Sequence, residues 1–258
     1  MASLEGKIIL LIGGASGVGL ATAKLLASRG VHLSVADVND DVKTVISQQV
    51  PSTDKVKVTA HRVDITDQSA VKALIDATLK EHGRIDGCAN IAGVIGKQHG
   101  ISIWETERSE FDFVMGVNAG GLFNCLAAQL KPGILSDGAS IVNVASILSL
   151  RASPRSASYV ASKHAVQGLT KAAAIDAAPR NIRVNCVAPG YIATPMLATS
   201  LETKFGSDAK NWPKPTTPFT RHGEPEEIGK VIAFLLSDDA SYVTAATYSV
   251  DGGWASAT

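Results

Sequence analysis

Residues 7–23 read Lys7-Ile8-Ile9-Leu10-Leu11-Ile12, then Gly13-Gly14-Ala15-Ser16-Gly17-Val18-Gly19, then Leu20-Ala21-Thr22-Ala23. The unbroken aliphatic run predicts a strand covered on both faces, since a strand with one wet face would alternate. Glycines then let the backbone turn tightly and approach a pyrophosphate. Its charge would be stabilised by unpaired N–H groups and the positive end of the helix that follows. The candidate contacts in this turn are Gly13, Ser16, Gly17, Val18 and Gly19. A bare glycine turn also serves as an ordinary strand-to-helix connection, so residues downstream decide its meaning.

Similar apolar runs recur at 32–36, 57–62, 87–89, 140–144, 183–187 and 246–250, which makes seven strands with the first. Helical patterns lie between them at 19–28, 68–81, 109–130, 156–178 and 224–236, the last opening on Glu224-Pro225-Glu226. Buried strands joined by helices of ten or more residues imply right-handed βαβ crossovers. The expected fold is a single α/β domain: a Rossmann-type doubly wound parallel sheet with helices on both faces. One stretch, 191–219, holds Pro195, Pro213, Pro215 and Pro218 and reads as an irregular insertion, of the kind that serves as a lid.

The 258 residues carry 24 Lys plus Arg against 24 Asp plus Glu, 45% hydrophobic side chains and a pI near 7.0. This balance provides no electrostatic footprint for a phosphate backbone or an anionic membrane. No nucleic acid partner is expected. No run reaches 18 uninterrupted apolar residues and no leader pattern opens the chain, so no membrane span is expected and the expected location is cytoplasmic. Cys88, Cys125 and Cys186 fit neither a disulfide framework nor a zinc site and read as buried thiols.

Asp37 closes the second strand, 18 residues beyond Gly19 (37 − 19). That is near the spacing of about 20 expected of an acid that accepts hydrogen bonds from the adenosine ribose hydroxyls. A carboxylate there repels a 2′-phosphate, and neither the glycine turn nor Val38-Asn39 offers a compensating cation. The reading favours NAD. As a strand-end residue Asp37 also suits a helix cap or a turn.

Tyr159-Val160-Ala161-Ser162-Lys163 puts a phenol and an ammonium on one helix face, and Ser146 stands 13 residues earlier (159 − 146) after the strand Ile141-Val142-Asn143-Val144-Ala145. Taken together, the glycine turn, Asn90-Ile91-Ala92-Gly93, Asn118, Ser146, the Tyr-x-x-x-Lys pair and Pro189-Gly190 resemble the short-chain dehydrogenase/reductase family in order and spacing, from about residue 7 to 253. The resemblance implies a dinucleotide-dependent oxidoreductase. Tyr159 would be its acid/base, Lys163 would also hold the nicotinamide ribose, Ser146 would bond the substrate oxygen, and Asn118 would hold a water linking the lysine to solvent. It further implies cofactor contacts from Asp64, Ile65, Asn90, Ala92, Pro189, Gly190, Ile192 and Thr194, together with assembly as a homotetramer through the helices at 109–130 and 156–178. Asp64 could equally cap a helix.

The chemistry asks for such a pair. A phenol of pKa about 10 is a poor base at neutral pH, and lowering it by about 3 units takes about 4 kcal/mol. A unit charge about 5 Å away supplies roughly 3 kcal/mol at an effective dielectric of about 20. Desolvation works the other way.

Three departures from the family pattern stand out. Ile12 and Ile91 replace a Thr and an Asn, and they read as neighbours on adjacent strands that exchange a polar contact for aliphatic packing; Ala245 replaces a glycine before the last strand. Beside the nicotinamide position, Val94 and Ile95, then Ile147, Leu148 and Leu150, then Met196, Leu197, Phe205 and Trp212 suit a bulky, mostly apolar cyclic substrate. Arg151 and Arg155 read as solvated loop charges, and His99 and His222 as surface or satisfied loop residues rather than catalytic groups. Two alternatives stand beside this reading: an NADPH-dependent ketoreductase of polyketide-like or carrier-bound ketones, and a catalytically silent dinucleotide sensor.

Overall fold

The computed structural model describes residues 4–208 and 217–256; Trp212, Pro213 and Pro215 lie outside the described residues. Seven strands form one sheet, all pairs parallel: β1 (Ile8–Ile12), β2 (His32–Asp37), β3 (Val58–Arg62), β4 (Gly87–Asn90), β5 (Ser140–Val144), β6 (Arg183–Pro189) and β7 (Thr247–Val250). Their spatial order is β3-β2-β1-β4-β5-β6-β7, so the direction of winding reverses between β1 and β4. In such sheets ligands bind at that reversal, outside the carboxyl ends of the strands. The expected strands all form, with ends shifted by one or two residues.

The β1 run explains the two layers. All five residues are buried, Ile9 and Leu11 in one core and Leu10 and Ile12 in the other. The first core takes α1 (Gly17–Ser28), α2 (Val42–Gln49) and α8 (Pro225–Leu236); the second takes α3 (Gln68–His82), α5 (Leu122–Gln129) and α6 (Ala157–Ala177). Each fully buried aliphatic side chain contributes about 1.5–3 kcal/mol, which is why an unbroken apolar run makes a central strand. Ile12 and Ile91 do not pack together as expected. Ile12 lies in the second core and Ile91 against the first, and what joins them is the Ile91 N–H donating to the Ile12 carbonyl at 2.8 Å.

Three helical expectations need correction. The helix α2 was absent from the sequence reading, because only Val42 and Ile46 are buried, too few anchors to show a period. The stretch read as irregular contains α7 (Pro195–Phe205), which starts on Thr194 with Pro195 at its first position, a combination that favours initiation rather than disruption. The helix expected at 109–130 is α4 (Arg108–Met115), a π-helical turn (Gly116–Gly121) and α5 in continuous succession. Arg108–Gln129 is, among the described residues, the one helix long and apolar enough to cross a membrane, with mean hydropathy 1.2. It packs against α3 and α6 within the fold.

The path into β7 is fixed by Ala245. Its N–H donates to the Val184 carbonyl at 2.8 Å, while the Asn185 side chain donates to the Val243 carbonyl at 2.7 Å and accepts from the Ala246 N–H at 3.1 Å. This turn holds Ala245 at φ 58°, in the left-handed region that costs a residue with a Cβ about 1–2 kcal/mol. Ala245→Gly removes that strain and gives back part of the gain through the greater freedom of the unfolded chain. We expect a net stabilisation of about 0.5–1 kcal/mol, seen in thermal unfolding as a rise of about 1–4 °C.

Candidate active site

The carboxyl ends of β1, β2, β4, β5 and β6 all open on one edge of the sheet. After β1, Gly13 turns with φ +91°, and a Cβ there would lie 2.4 Å from the Ala92 nitrogen; a Cβ on Gly19 would lie 1.7 Å from the Gly13 carbonyl oxygen. Only glycine fits either place. Ser16 stands at the start of α1 without capping it by its side chain, and the first turn of α1 contains no acid. The N-terminal amides and helix dipole are thus available to an anion. Thr194 closes the opposite wall: its Cγ2 would be 3.2 Å from a Cβ on Gly17. Val18 is partly exposed beside that turn.

Asp37 stands at the end of β2 and accepts from the Ala15 N–H at 2.8 Å and the Asn39 N–H at 3.0 Å. Its turn-forming role is therefore real, and it fixes the carboxylate beside the glycine turn. Arg62, the register partner of Asp37 on β3, is tied to Asp40. Asp64 accepts from the N–H and hydroxyl of Thr66, whereas Asp67 caps α3. The Ile65 side chain is buried in the second core. Asn90 is committed inward: its amide donates to Gln129 and Asn143 and accepts from Gln129, and Asn143 donates in turn to Thr170, all within 3.1 Å. Ala92 abuts the Gly13 turn. Pro189 ends β6, the Gly190 N–H donates to Val250, Ile192 is buried, and Thr194 caps α7. At the carboxyl ends of the strands these residues set free helix amides, one fixed carboxylate and small residues, a combination that suits a dinucleotide.

Ser146 follows β5, and its hydroxyl accepts from the Leu148 N–H at 3.2 Å at the head of a short 3₁₀ turn (Ile147–Ser149). Across from it, α6 presents Tyr159 and Lys163 one turn apart, exposed by only 9% and 4%. The Ser146 hydroxyl lies near enough to the Tyr159 phenol to favour its ionised form. The ammonium of Lys163 donates to the Val144 carbonyl at 3.1 Å and lies 5.6 Å from the centre of the Tyr159 ring. Asn118 sits in the π-helical turn, a feature frequent at functional sites. It accepts from the Val94 N–H and donates to the Val94 carbonyl, both at 2.8 Å, and donates to Ser162 at 2.9 Å. Gly93 lies between Asn118 and Lys163, since a Cβ there would be 3.1 Å from a polar atom of each. Asn118, Ser146, Tyr159 and Lys163 thus converge on one spot.

The electrostatic balance departs from the sequence arithmetic. Burial pushes the Tyr159 phenol up to about 12, with the Ser146 hydroxyl pulling the other way, and burial pushes Lys163 down to about 8. Burial outweighs the favourable contacts, which come from Ser146 for Tyr159 and from Cys186 for Lys163. The three thiols are buried and free, with burial raising each pKa.

Two expectations about loop residues fail. Arg151 is not a loose solvated charge: it is half-buried and donates to the Trp254 carbonyl at 2.6 Å, with its guanidinium 5.7 Å from the centre of that indole. His99 is buried rather than a surface residue, with its ring edge-on to Tyr159 at a centroid distance of 6.3 Å. Nothing in the local sequence announced this, because the contact joins loop to helix across 60 positions (159 − 99). Leu150, Met196 and Phe205 are exposed, while Ile147 is buried.

Comparison with known proteins agrees with the geometry. The family model described as enoyl-(acyl carrier protein) reductase, adh_short_C2, matches residues 13–255. The short-chain dehydrogenase/reductase aba4 of Botryotinia fuckeliana (strain B05.10) is 42% identical over 252 residues, covering 96% of each chain. The 2,5-dichloro-2,5-cyclohexadiene-1,4-diol dehydrogenase of Sphingobium indicum (strain DSM 16412 / CCM 7286 / MTCC 6364 / B90A) is 36% identical and covers 98% of this chain and 99% of that one. Among solved structures, NAD+-bound xylitol dehydrogenase superposes with TM-score 0.89 at 31% identity, covering 97% of this chain and 99% of that one. The chain belongs to the short-chain dehydrogenase/reductase family, whose members bind a nicotinamide dinucleotide. Within it, this protein is an oxidoreductase of alcohol and ketone substrates.

Asn118 joins the π-helical turn, the Val94 loop and α6. Asn118→Ala leaves the Val94 N–H and carbonyl and the Ser162 hydroxyl without this partner, at a cost of about 2–3 kcal/mol. We expect that loss in urea unfolding at equilibrium.

Proposed function

We propose that the protein is an NAD-dependent dehydrogenase that interconverts a secondary alcohol and a ketone on a bulky, mostly apolar cyclic molecule. The observation that carries this reading is the meeting of Ser146, Tyr159 and Lys163 under a cover of loop and helix. A bound nicotinamide dinucleotide supplies the hydride acceptor. In oxidation the Tyr159 oxygen takes the carbinol proton while the Ser146 hydroxyl bonds the same substrate oxygen; in reduction Tyr159 returns the proton. The lysine ammonium favours the phenolate, and Asn118 holds the Val94 loop against the site.

Gly13, Ser16, Gly17, Val18, Gly19, Asp37 and Thr194 are the residues that would hold the dinucleotide from its phosphates to its ribose. The preference for NAD rests on Asp37, fixed beside the glycine turn, on the uncharged and exposed Val38 next to it, and on the engagement of Arg62 with Asp40. The name of the Sphingobium relative, a ring diol dehydrogenase, supports a cyclic substrate, as do Ile147 and Leu148 beside Ser146. We also read the protein as a cytoplasmic homotetramer. Exposed Phe113 and Phe123 on Arg108–Gln129 and exposed Ile175 on α6 are apolar surface that such an assembly would cover. The second reading, an NADPH-dependent reductase of carrier-bound or polyketide-like ketones, is supported by the name of another relative, the 3-oxoacyl-[acyl-carrier-protein] reductase of Thermotoga maritima, 36% identical.

The test adds NAD+ and a panel of cyclic secondary alcohols to the purified protein and follows reduced nicotinamide by absorbance. Tyr159→Phe should lower kcat by about 100-fold or more and leave NAD+ binding within about threefold. Turnover insensitive to that change would sink the mechanism. For the cofactor, Asp37→Ala should weaken NAD+ about tenfold, or about 1.4 kcal/mol, while NADP+ binding improves. Calorimetric titration with both dinucleotides measures this, and tighter NADP+ binding by the unaltered protein would favour the second reading.

A further inference from the structure

His99 is the polar side chain beside Tyr159 to which the mechanism gives no task. It is 6% exposed, and its Nδ1 is buried with no hydrogen-bond partner among the described residues. Leaving a ring nitrogen in that state is costly, and folded proteins rarely tolerate it without a use. Chance placement is a poor explanation here, because the loop is clamped on both sides of the ring. Asn118 grips Val94; the Gln98 N–H donates to Glu110 at 3.0 Å, and the Gln98 side chain accepts from the Glu107 N–H at 2.9 Å. On the other side, the Gly100 N–H donates to the Arg155 carbonyl at 2.8 Å, with Arg155 itself held at φ 58°. The imidazole is therefore fixed against the edge of the Tyr159 ring, at 76° between planes.

Lys204, on α7, crosses the same turn: its Cγ would be 3.3 Å from a Cβ on Gly100, and its ammonium reaches the Ser156 hydroxyl at 3.4 Å. Burial, and then the charge of Lys204, push His99 down to about 4, so the imidazole is neutral at pH 7. A neutral imidazole carries one donor and one acceptor nitrogen, and a hydroxyl can satisfy either. Nδ1 is screened from solvent.

We propose that His99 is a specificity-determining residue whose Nδ1 hydrogen-bonds a second oxygen on the substrate, remote from the carbon addressed by Tyr159 and Ser146. The preferred substrates are cyclic diols, hydroxyketones or diketones rather than their counterparts with one oxygen. This rests on the dehydrogenase reading and deepens it. His99 accounts for how the ring is turned.

The test compares trans-cyclohexane-1,4-diol with cyclohexanol as substrates, with NAD+, for the unaltered protein, His99→Phe and His99→Asn. Phe keeps a ring against Tyr159 and removes the nitrogen, whereas the Asn amide offers a polar atom near the position of Nδ1. The unaltered protein should prefer the diol in kcat/KM. His99→Phe should cut that preference at least tenfold, through KM for the diol, with cyclohexanol within threefold; His99→Asn should restore part of it. Should the Phe ring disturb the fold, His99→Leu reads the same ratio. Equal losses on both substrates, or an unchanged ratio, overturn the proposal and leave the dehydrogenase intact. If the unaltered protein binds NAD+ and oxidises neither alcohol, the substrate class falls and the proposal falls with it.

Discussion

A lysine ammonium buried beside a buried phenol is the constraint around which this molecule is arranged. An ammonium in apolar surroundings is costly, and here one carbonyl at the end of β5, that of Val144, is the direct partner of the charge. That contact ties the helix carrying the charge to the strand end carrying Ser146. The tyrosine is held high and the lysine low by the same burial, so burial drives each toward its neutral form. The site is poised for a ligand that changes the local field, and the sheet reversal between β1 and β4 provides the place for it.

Around these groups, backbone is held in place by side chains. Asn118, Glu110 and Arg155 each take hold of a different point of the 94–100 loop, so a segment without regular structure acquires the fixity of an element. The π-helical turn makes this possible, because the wider coil places Asn118 where a regular helix would have set a different residue. Similarly, Arg151 and Trp254 fasten the chain end near β7 to the loop after β5, with Tyr191 stacked on the same indole at 4.7 Å.

The sheet was legible because buried parallel strands write themselves as unbroken aliphatic runs, and the catalytic group because Tyr159 and Lys163 stand one helical turn apart. Elements with few anchors were not. The helix α2 shows only two buried side chains, and α7 was masked by prolines, one of which starts it. Chemistry that depends on contacts between distant segments left no local trace. The burial of His99 arises from a loop folded onto α6, and the engagement of Arg151 from a residue 103 positions away (254 − 151). The dominance of burial over attraction at Tyr159 was likewise hidden, since spacing reports distance along the chain and says nothing of solvent.

The amides of Asn90, Gln129 and Asn143 and the hydroxyl of Thr170 form a chain that passes from β4 through α5 and β5 to α6. Each finds its partner in one alignment only. If β4 slid by a residue against β5, several amides would be entombed without partners, at about 1–3 kcal/mol apiece. The aliphatic core would tolerate such a slip far better than these polar groups do. The network therefore works as a key cut for a single lock: it penalises misregistered sheets during folding.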